Sequence, residues 1–239
     1  MKPNIFICGP SGTGKSTSMR NLPPERTVIL NTEQKALPFR KGIEFKLNVP
    51  INSLQLFKTA LTKAIENPEI DIIVIESFTS LIELIYMKAK SLYDGFDVWD
   101  YYKNEIKKIM EMSKNTDKYI IFIGIDQFVE GDSGVEERFI AVDGSWKKKV
   151  EKEFVIVVYS EAKEINDKQE YRFITNKQPG YNRISAKSPM EMLPPIMEND
   201  INSILNEVDK YYGWDKKKVK PKKEKVDESK WWIKLSKRL

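Results

Sequence analysis

The stretch "GPSGTGKST", residues 9–17, is the most informative segment of this chain. It fits the pattern G-x-x-x-x-G-K-[ST], in which glycines let the backbone bend so that successive N–H groups point at phosphate oxygens. Apolar residues 5–7 precede it as a short strand, and residues 15–21 can continue as a helix whose positive dipole end faces the same anion. A strand before and a helix after the loop favour a P-loop over a chance glycine-rich turn.

The loop residues have expected roles in holding a nucleotide. Lys15 is expected to reach the β- and γ-phosphates and so to serve catalysis, and the Ser16 hydroxyl to ligate Mg²⁺. The predicted cofactors are therefore ATP and Mg²⁺. The predicted nucleotide-binding residues are Gly9, Pro10, Ser11, Gly12, Thr13, Gly14, Lys15, Ser16 and Thr17.

The amino-acid composition excludes several classes of protein. A chain of 239 residues, 41% of them hydrophobic, can bury a core as one domain of roughly 200 residues plus an appendage. One cysteine excludes an intramolecular disulfide framework, and the lack of histidine excludes histidine-based catalysis and histidine metal sites. Without a signal-peptide pattern or an apolar run of membrane-spanning length, we expect a cytoplasmic protein with no membrane partner.

The net charge of +5 is unevenly distributed. Residues 214–239 carry eleven Lys/Arg against four Asp/Glu, whereas residues 1–213 carry 29 against 31. We therefore expect an ATP-binding domain over 1–213 and a basic, flexible tail over 214–239. The tail is either a solvated segment or an electrostatic arm for nucleic acid or a partner, with Trp231 and Trp232 available for stacking.

The body alternates between strand and helix patterns. Continuous apolar runs predict buried parallel strands, and apolar residues at helical spacing predict the helices between them. The predicted strands are 26–31, 70–76, 118–125, 153–160 and an edge strand 170–176; the predicted helices are 53–67, 77–93, 98–112 and one capped by Asp200 and ended by Gly213. This order predicts an α/β fold with a mainly parallel sheet covered by helices on both faces.

Acidic residues follow two of these strands. Glu33 comes after "VILNT", where a carboxylate could orient and deprotonate the water that attacks a γ-phosphate. Glu76 ends "IIVIE", where it could hold Mg²⁺ through its water shell. Either residue could instead be a solvated carboxylate at a strand end.

The segments "LNTE" and "IVIES" resemble the RecA-type recombinase core. More closely, the chain resembles the small phage-encoded RecA-like ATPases that accompany single-strand annealing proteins. The resemblance also includes "VWDYYKNEI", "VDGSWKKKVEKEFVIVVYSE", "YRFITNK" and "AKSPMEMLP", and it covers residues 2–212. It implies a RecA-like P-loop ATPase in phage-type DNA recombination or replication, acting as a head-to-tail oligomer on or near single-stranded DNA with an annealing or replication protein.

The resemblance also implies further site residues. Gln127 is expected as the γ-phosphate sensor, although it could be a loop residue facing solvent. Lys187 is expected to reach the γ-phosphate of a neighbouring subunit, whereas Lys147, Lys148 and Lys149 fit a solvated surface equally well. The chain carries Glu76 where the family usually has Asp, which could slow turnover.

The sequence is also compatible with other functions. The loop over residues 128–146 lies where recombinases bind DNA, but it is acidic and is a poor grip for phosphates. This acidic loop and the presence of Glu rather than Asp at position 76 both favour an alternative function. In this alternative the protein is a nucleotide-gated module that binds a partner and hydrolyses little or no ATP. A small-molecule kinase is the weaker alternative, because no arginine-rich lid is evident.

Overall fold

The computed structural model describes residues 1–40, 44–45, 47–130, 134, 136–147, 149–181 and 183–215. The described strands are β1 (Ile5–Cys8), β2 (Thr27–Asn31), β3 (Leu47–Pro50), β4 (Ile72–Glu76), β5 (Tyr119–Ile123), β6 (Asp126–Glu130), β7 (Glu136–Ile140), β8 (Ile156–Ile165), β9 (Lys168–Ile174) and β10 (Ile196–Glu198). The helices are α1 (Leu54–Glu66), α2 (Phe78–Lys90), α3 (Asp97–Lys114) and α4 (Ile201–Tyr211).

A central sheet with the strand order β10-β9-β8-β1-β5-β4-β2-β3 organises the described residues. The six strands from β8 to β3 are parallel neighbours, and β9 and β10 extend the sheet in antiparallel fashion. Strands β1, β2, β4 and β5 are buried along their whole length, which explains their continuous apolar runs. Their carboxyl ends share one edge of the sheet.

Helices cover both faces of this sheet. Because strand side chains alternate, Phe6 and Cys8 pack with α1, α2 and α3, whereas Ile5 and Ile7 pack with α4 and the segment after the P-loop. The predicted fold class, an α/β fold with a mainly parallel sheet covered by helices on both faces, is confirmed.

The helix starts follow their capping residues. The side chain of Ser53 accepts a hydrogen bond from the backbone N–H of Leu56 at the start of α1, and Ser77 does the same for Ser80 at the start of α2. Asp200 caps α4 as predicted, and Gly213 follows that helix with a φ of +68°.

Three details differ from the sequence expectations. Strand β9 is not at the edge, because the short strand β10 pairs with its outer side. The predicted acidic loop contains the β6–β7 hairpin, which forms a second, two-stranded sheet. The helix after the P-loop is a six-residue 3₁₀ helix, Ser16–Asn21, and the prolines at 23 and 24 follow it closely.

The end of the described chain packs on the body. Trp214 stacks on Tyr212 with ring centroids 4.4 Å apart, and the Lys2 ammonium lies 4.8 Å from the Trp214 ring. The basic segment from residue 216, with Trp231 and Trp232, lies outside the described residues, so the tail stays a prediction. Over the described residues, no helix has the length and apolar character needed to cross a membrane.

Candidate nucleotide site

A cavity of about 820 Å³ opens at the carboxyl edge of the parallel strands. This edge is where open α/β sheets generally bind ligands. The P-loop, the residues after β2 and β4, and the end of β5 all reach the cavity. Its lining comprises Ser11, Gly12, Gly14, Lys15, Ser16, Thr17, Arg20, Glu33, Lys35, Pro38, Glu76, Ser77, Ile123, Gly124, Ile125, Tyr171, Glu198 and Asn199.

The P-loop needs its glycines for backbone conformation. Gly9, Gly12 and Gly14 have φ values of +145°, +80° and +85°, a region that residues with a Cβ rarely adopt. A Cβ at Gly9 would also lie 2.6 Å from the Ser160 carbonyl oxygen, whereas one at Gly12 would meet nothing within 4 Å. The loop is therefore closely packed at its first glycine and open at its second.

Two buried polar residues brace the loop from β8 and from the start of α4. The Ser160 hydroxyl donates to the carbonyl oxygen of Thr13, and the Asn199 amide donates to the Ser160 hydroxyl oxygen at 3.0 Å. Arg20 in turn donates to the carbonyl oxygen of Asn199. Because Ser160 and Asn199 are only 3% and 4% exposed, the P-loop rests on a fixed polar support.

Lys15 folds over its own loop. Its ammonium donates to the carbonyl oxygens of Gly9 at 2.8 Å and Pro10 at 2.6 Å. Burial lowers the pKa of Lys15, against nearby groups, led by Cys8 and Glu76, that raise it. A bound phosphate would compete with these carbonyls for the ammonium.

Ser16 and Glu76 meet in the cavity, although 60 positions separate them. The Ser16 hydroxyl donates to Glu76 Oε1 at 2.6 Å, and Glu76 Oε2 is buried with no hydrogen-bond partner among the described residues. The pKa of Glu76 is raised to about 7, mainly by burial; the Ser16 hydrogen bond opposes this rise, and the charge of Glu33 adds to it. The peptide bond between Glu76 and Ser77 is cis.

This pair fits Mg²⁺. Magnesium prefers oxygen ligands and is commonly held by one or two carboxylates, phosphates and water. A hydroxyl and an unpartnered carboxylate oxygen lie side by side next to the P-loop. In the described part of the chain, no group of three or more His, Cys, Asp or Glu residues is placed to hold a metal ion.

Glu33 lies on the same side of the cavity as Glu76. The backbone N–H groups of Thr32 and Glu33 donate to the Glu76 carbonyl oxygen at 2.6 and 3.4 Å, which joins the ends of β2 and β4. The Glu33 carboxylate is 31% exposed and lies 3.1 Å from the ammonium of Lys35. The structure thus brings the four residues Lys15, Ser16, Glu33 and Glu76 to one cavity.

Gln127 lies away from this cavity. It belongs to β6, and its amide nitrogen donates to the carbonyl oxygens of Ile140 at 3.3 Å and Val142 at 2.9 Å. These bonds hold the β6–β7 hairpin, and Gln127 is not part of the cavity lining. A sensor role would require this amide to leave those carbonyls.

Lys187 also lies outside the lining. Its backbone N–H and C=O pair with those of Val157 near the start of β8, each bond 2.9 Å long. Burial lowers the pKa of Lys187, while the charges of Glu151 and Glu153 raise it. A role toward a neighbouring subunit stays a prediction. Lys147 and Lys149 are exposed, and Lys148 lies outside the described residues.

Sequence reasoning missed several cavity residues, among them Arg20, Lys35, Tyr171 and Asn199. Lys35 lies two positions after Glu33 and Arg20 four after Ser16, so a local search around the motifs could have found both. Tyr171 and Asn199 come from β9 and from the residue after β10, and only the folded sheet brings them to the P-loop.

Three comparisons with known proteins complete the description. A family model described as an AAA domain, AAA_24, matches residues 1–188. Among solved structures, the flagellar accessory protein FlaH from Methanocaldococcus jannaschii is similar, with 16% identity, a TM-score of 0.40 and coverage of 72% of this chain and 76% of that chain. A search of curated proteins found no match.

Proposed function

The chain belongs to the AAA_24 family of AAA domains, and we propose that it binds ATP with Mg²⁺ and hydrolyses the bond to the γ-phosphate. The observation that carries this proposal is the meeting of Lys15, the Ser16–Glu76 pair and Glu33 in one cavity. Cation, metal ligands and a candidate base are the parts that phosphoryl transfer requires.

Phosphate binding falls to the P-loop. Its backbone N–H groups can surround the phosphate oxygens, and the Lys15 ammonium can exchange the carbonyls of Gly9 and Pro10 for them. The brace from Ser160 and Asn199 holds the loop in shape, so little reorganisation is needed when the nucleotide binds.

Ser16 and Glu76 would hold the metal. When bound, Mg²⁺ would neutralise negative charge on the phosphates. Glu76 would serve as the ionised carboxylate, and a cation beside it favours that form over the neutral form that burial favours. The Ser16 hydroxyl would then direct its oxygen to the same ion.

Glu33 would act on the attacking water. Its carboxylate accepts a proton or orients the water through a hydrogen bond, since it is partly exposed at the cavity and close to Glu76.

We extend the proposal to a setting in phage-type DNA recombination or replication, in the cytoplasm of a host cell. Its support is the ordered set of segments that resembles the small phage ATPases over residues 2–212. A head-to-tail oligomer is consistent with Lys187 lying outside its own cavity. The net +7 of residues 214–239 would suit contact with single-stranded DNA or with an annealing or replication protein.

One observation favours a second candidate, a nucleotide-gated module with little or no hydrolysis. Glu76 is 6% exposed and longer by one methylene than the usual Asp, and its raised pKa opposes the ionised form that a metal needs. The β6–β7 hairpin also presents Glu130 and Glu136, which repel phosphates.

Phosphate release by the full chain, measured with Mg²⁺·ATP in the presence and absence of single-stranded DNA, tests these alternatives. We expect turnover that requires Mg²⁺ and rises with DNA. Tight ATP binding without turnover would favour the nucleotide-gated module. No binding of ATP at all would overturn both.

A further inference from the structure

Tyr171 places an aromatic ring at one end of the nucleotide cavity. It lies on β9 opposite Ala162 of β8, and it is the one aromatic side chain in the described lining. A Cβ at Gly14 would come within 3.1 Å of its ring carbon Cδ1, so the ring packs against the P-loop backbone. With 44% of the residue exposed, much of the ring is left for a ligand.

The described part of the chain gives Tyr171 no side-chain hydrogen bond and no aromatic partner. Other exposed tyrosines are paired: Tyr93 lies 5.5 Å from Tyr101, and Tyr211 lies 5.2 Å from Tyr212, between ring centroids. Packing among the described residues therefore accounts for those rings but leaves the exposed part of Tyr171 uncovered. An unpaired ring beside a phosphate-binding loop is suited to a flat ligand group.

The direction of the nucleotide follows from the rest of the cavity. The Ser16–Glu76 pair and Glu33 mark the end that takes the metal and the terminal phosphate. At Gly14 a Cβ would meet the Asn199 side chain at 3.3 Å as well as Tyr171, so these two residues form a separate wall. A phosphate chain held by the loop with its terminal phosphate at the metal end would place its nucleoside at this wall.

We propose that the base of the bound nucleoside triphosphate stacks on Tyr171, with Arg20 and Glu198 beside it. Arg20 is fixed at this wall by its hydrogen bond to the Asn199 carbonyl oxygen, and both Arg20 and Glu198 line the cavity. The inference rests on the proposed ATP site and adds the residue that recognises the base. Stacking of a base on an aromatic side chain corresponds to about a 5- to 150-fold gain in affinity.

Calorimetric titration of the full chain with two ligands tests this assignment. ATP carries the base, and inorganic tripolyphosphate carries only the phosphates, both with Mg²⁺. Tyr171→Ala should weaken ATP binding by about 5- to 150-fold and leave tripolyphosphate binding unchanged. Tyr171→Phe, which keeps the ring, should bind both ligands as the parent does.

Tyr93→Ala is the matched control, because Tyr93 is also 44% exposed and lies outside the cavity lining. It should bind both ligands as the parent does. Equal losses for ATP and tripolyphosphate in Tyr171→Ala would mean that the ring only supports the P-loop, and unchanged ATP affinity would mean that it has no part in binding; either result overturns the stacking assignment alone. A parent that binds neither ligand would overturn the ATP site itself.

Discussion

The two ends of the nucleotide cavity are built in different ways. At the metal end, Lys15 and Ser16 lie in and just after the loop that follows β1, Glu33 lies two residues after β2, and Glu76 ends β4. These residues therefore belong to local sequence patterns that already indicate their chemistry. At the nucleoside end, Tyr171 and Asn199 belong to the antiparallel extension of the sheet and carry no local motif.

The two ends differ because binding at each end requires different properties of the side chains. Charge neutralisation and water activation require particular functional groups at the strand ends, so residue type identifies them. Stacking and loop support require only a surface of suitable shape, which many residues can supply. The changes below should therefore affect the two ends separately.

The largest effect is expected from Lys15→Ala. Removal of the ammonium leaves the phosphate charge uncompensated, so ATP affinity should fall by at least about 100-fold. Binding of a fluorescent ATP analogue measures it, with Lys103→Ala on the exposed face of α3 as the control. Unchanged affinity with an intact circular-dichroism spectrum would contradict the P-loop assignment.

Glu33→Gln should separate binding from hydrolysis. The amide keeps the size of the side chain but cannot take a proton, so turnover should fall by about 100-fold or more while ATP still binds. Steady-state phosphate release measures the change, and Glu83→Gln on the exposed side of α2 serves as the control. Equal turnover in the parent and in Glu33→Gln would assign the base elsewhere.

Two glycines in one loop offer a matched pair for stability. Gly9→Ala adds both backbone strain and a contact of 2.6 Å with the Ser160 carbonyl oxygen, and should lower the free energy of unfolding by about 2–4 kcal/mol. Gly12→Ala adds strain alone and should cost about 1–2 kcal/mol. Urea unfolding compares them, and equal losses would show that the Ser160 support is not rigid.

A further effect concerns the pH dependence of stability at Glu76. Its pKa of about 7 in the folded protein exceeds the ordinary value of 4.5. The folded state therefore binds more protons between these values, so this group's contribution to stability is full below pH 4.5 and is lost as the pH rises through 7.

Glu76→Gln removes that dependence. The variant should be more stable than the parent by about 1–3 kcal/mol at pH 8, with the difference vanishing toward pH 4.5. Thermal or urea unfolding across this range measures it. Asp117→Asn, at an exposed carboxylate, is the control. If the stability difference between Glu76→Gln and the parent does not change with pH, Glu76 is not the group that takes up the proton.

Much of the fold could be predicted because it depends on local patterns. The parallel strands are long apolar runs, and the helices between them have capping residues and helical spacing. The short strands β3 and β10, of four and three residues, lack such a pattern and form because a neighbouring strand pairs with them.

The position of the candidate site residues in the fold was predictable to the same extent, whereas their roles stay predictions. Glu33 and Glu76 follow from the rule that the carboxyl ends of parallel strands share one edge. Gln127 was expected to follow the predicted strand into the site, but the chain leaves β5 after Ile123 and begins a new hairpin at Asp126. Tyr171 depends on the β8–β9 register, which the sequence alone does not specify.

One set of titrations tests the division of the cavity most directly. ATP affinity is measured with Mg²⁺ and with EDTA, and tripolyphosphate affinity with Mg²⁺, for the parent, Tyr171→Ala, Glu76→Gln and the double variant. Tyr171→Ala should lose affinity for ATP but not for tripolyphosphate. Glu76→Gln should lose affinity only when Mg²⁺ is present. The two losses should add for Mg²⁺·ATP, since the residues act at opposite ends. Two results would contradict a cavity with separate metal and nucleoside ends. One is that both single variants lose affinity under the same set of ligand conditions; the other is that the double variant binds Mg²⁺·ATP no more weakly than either single variant.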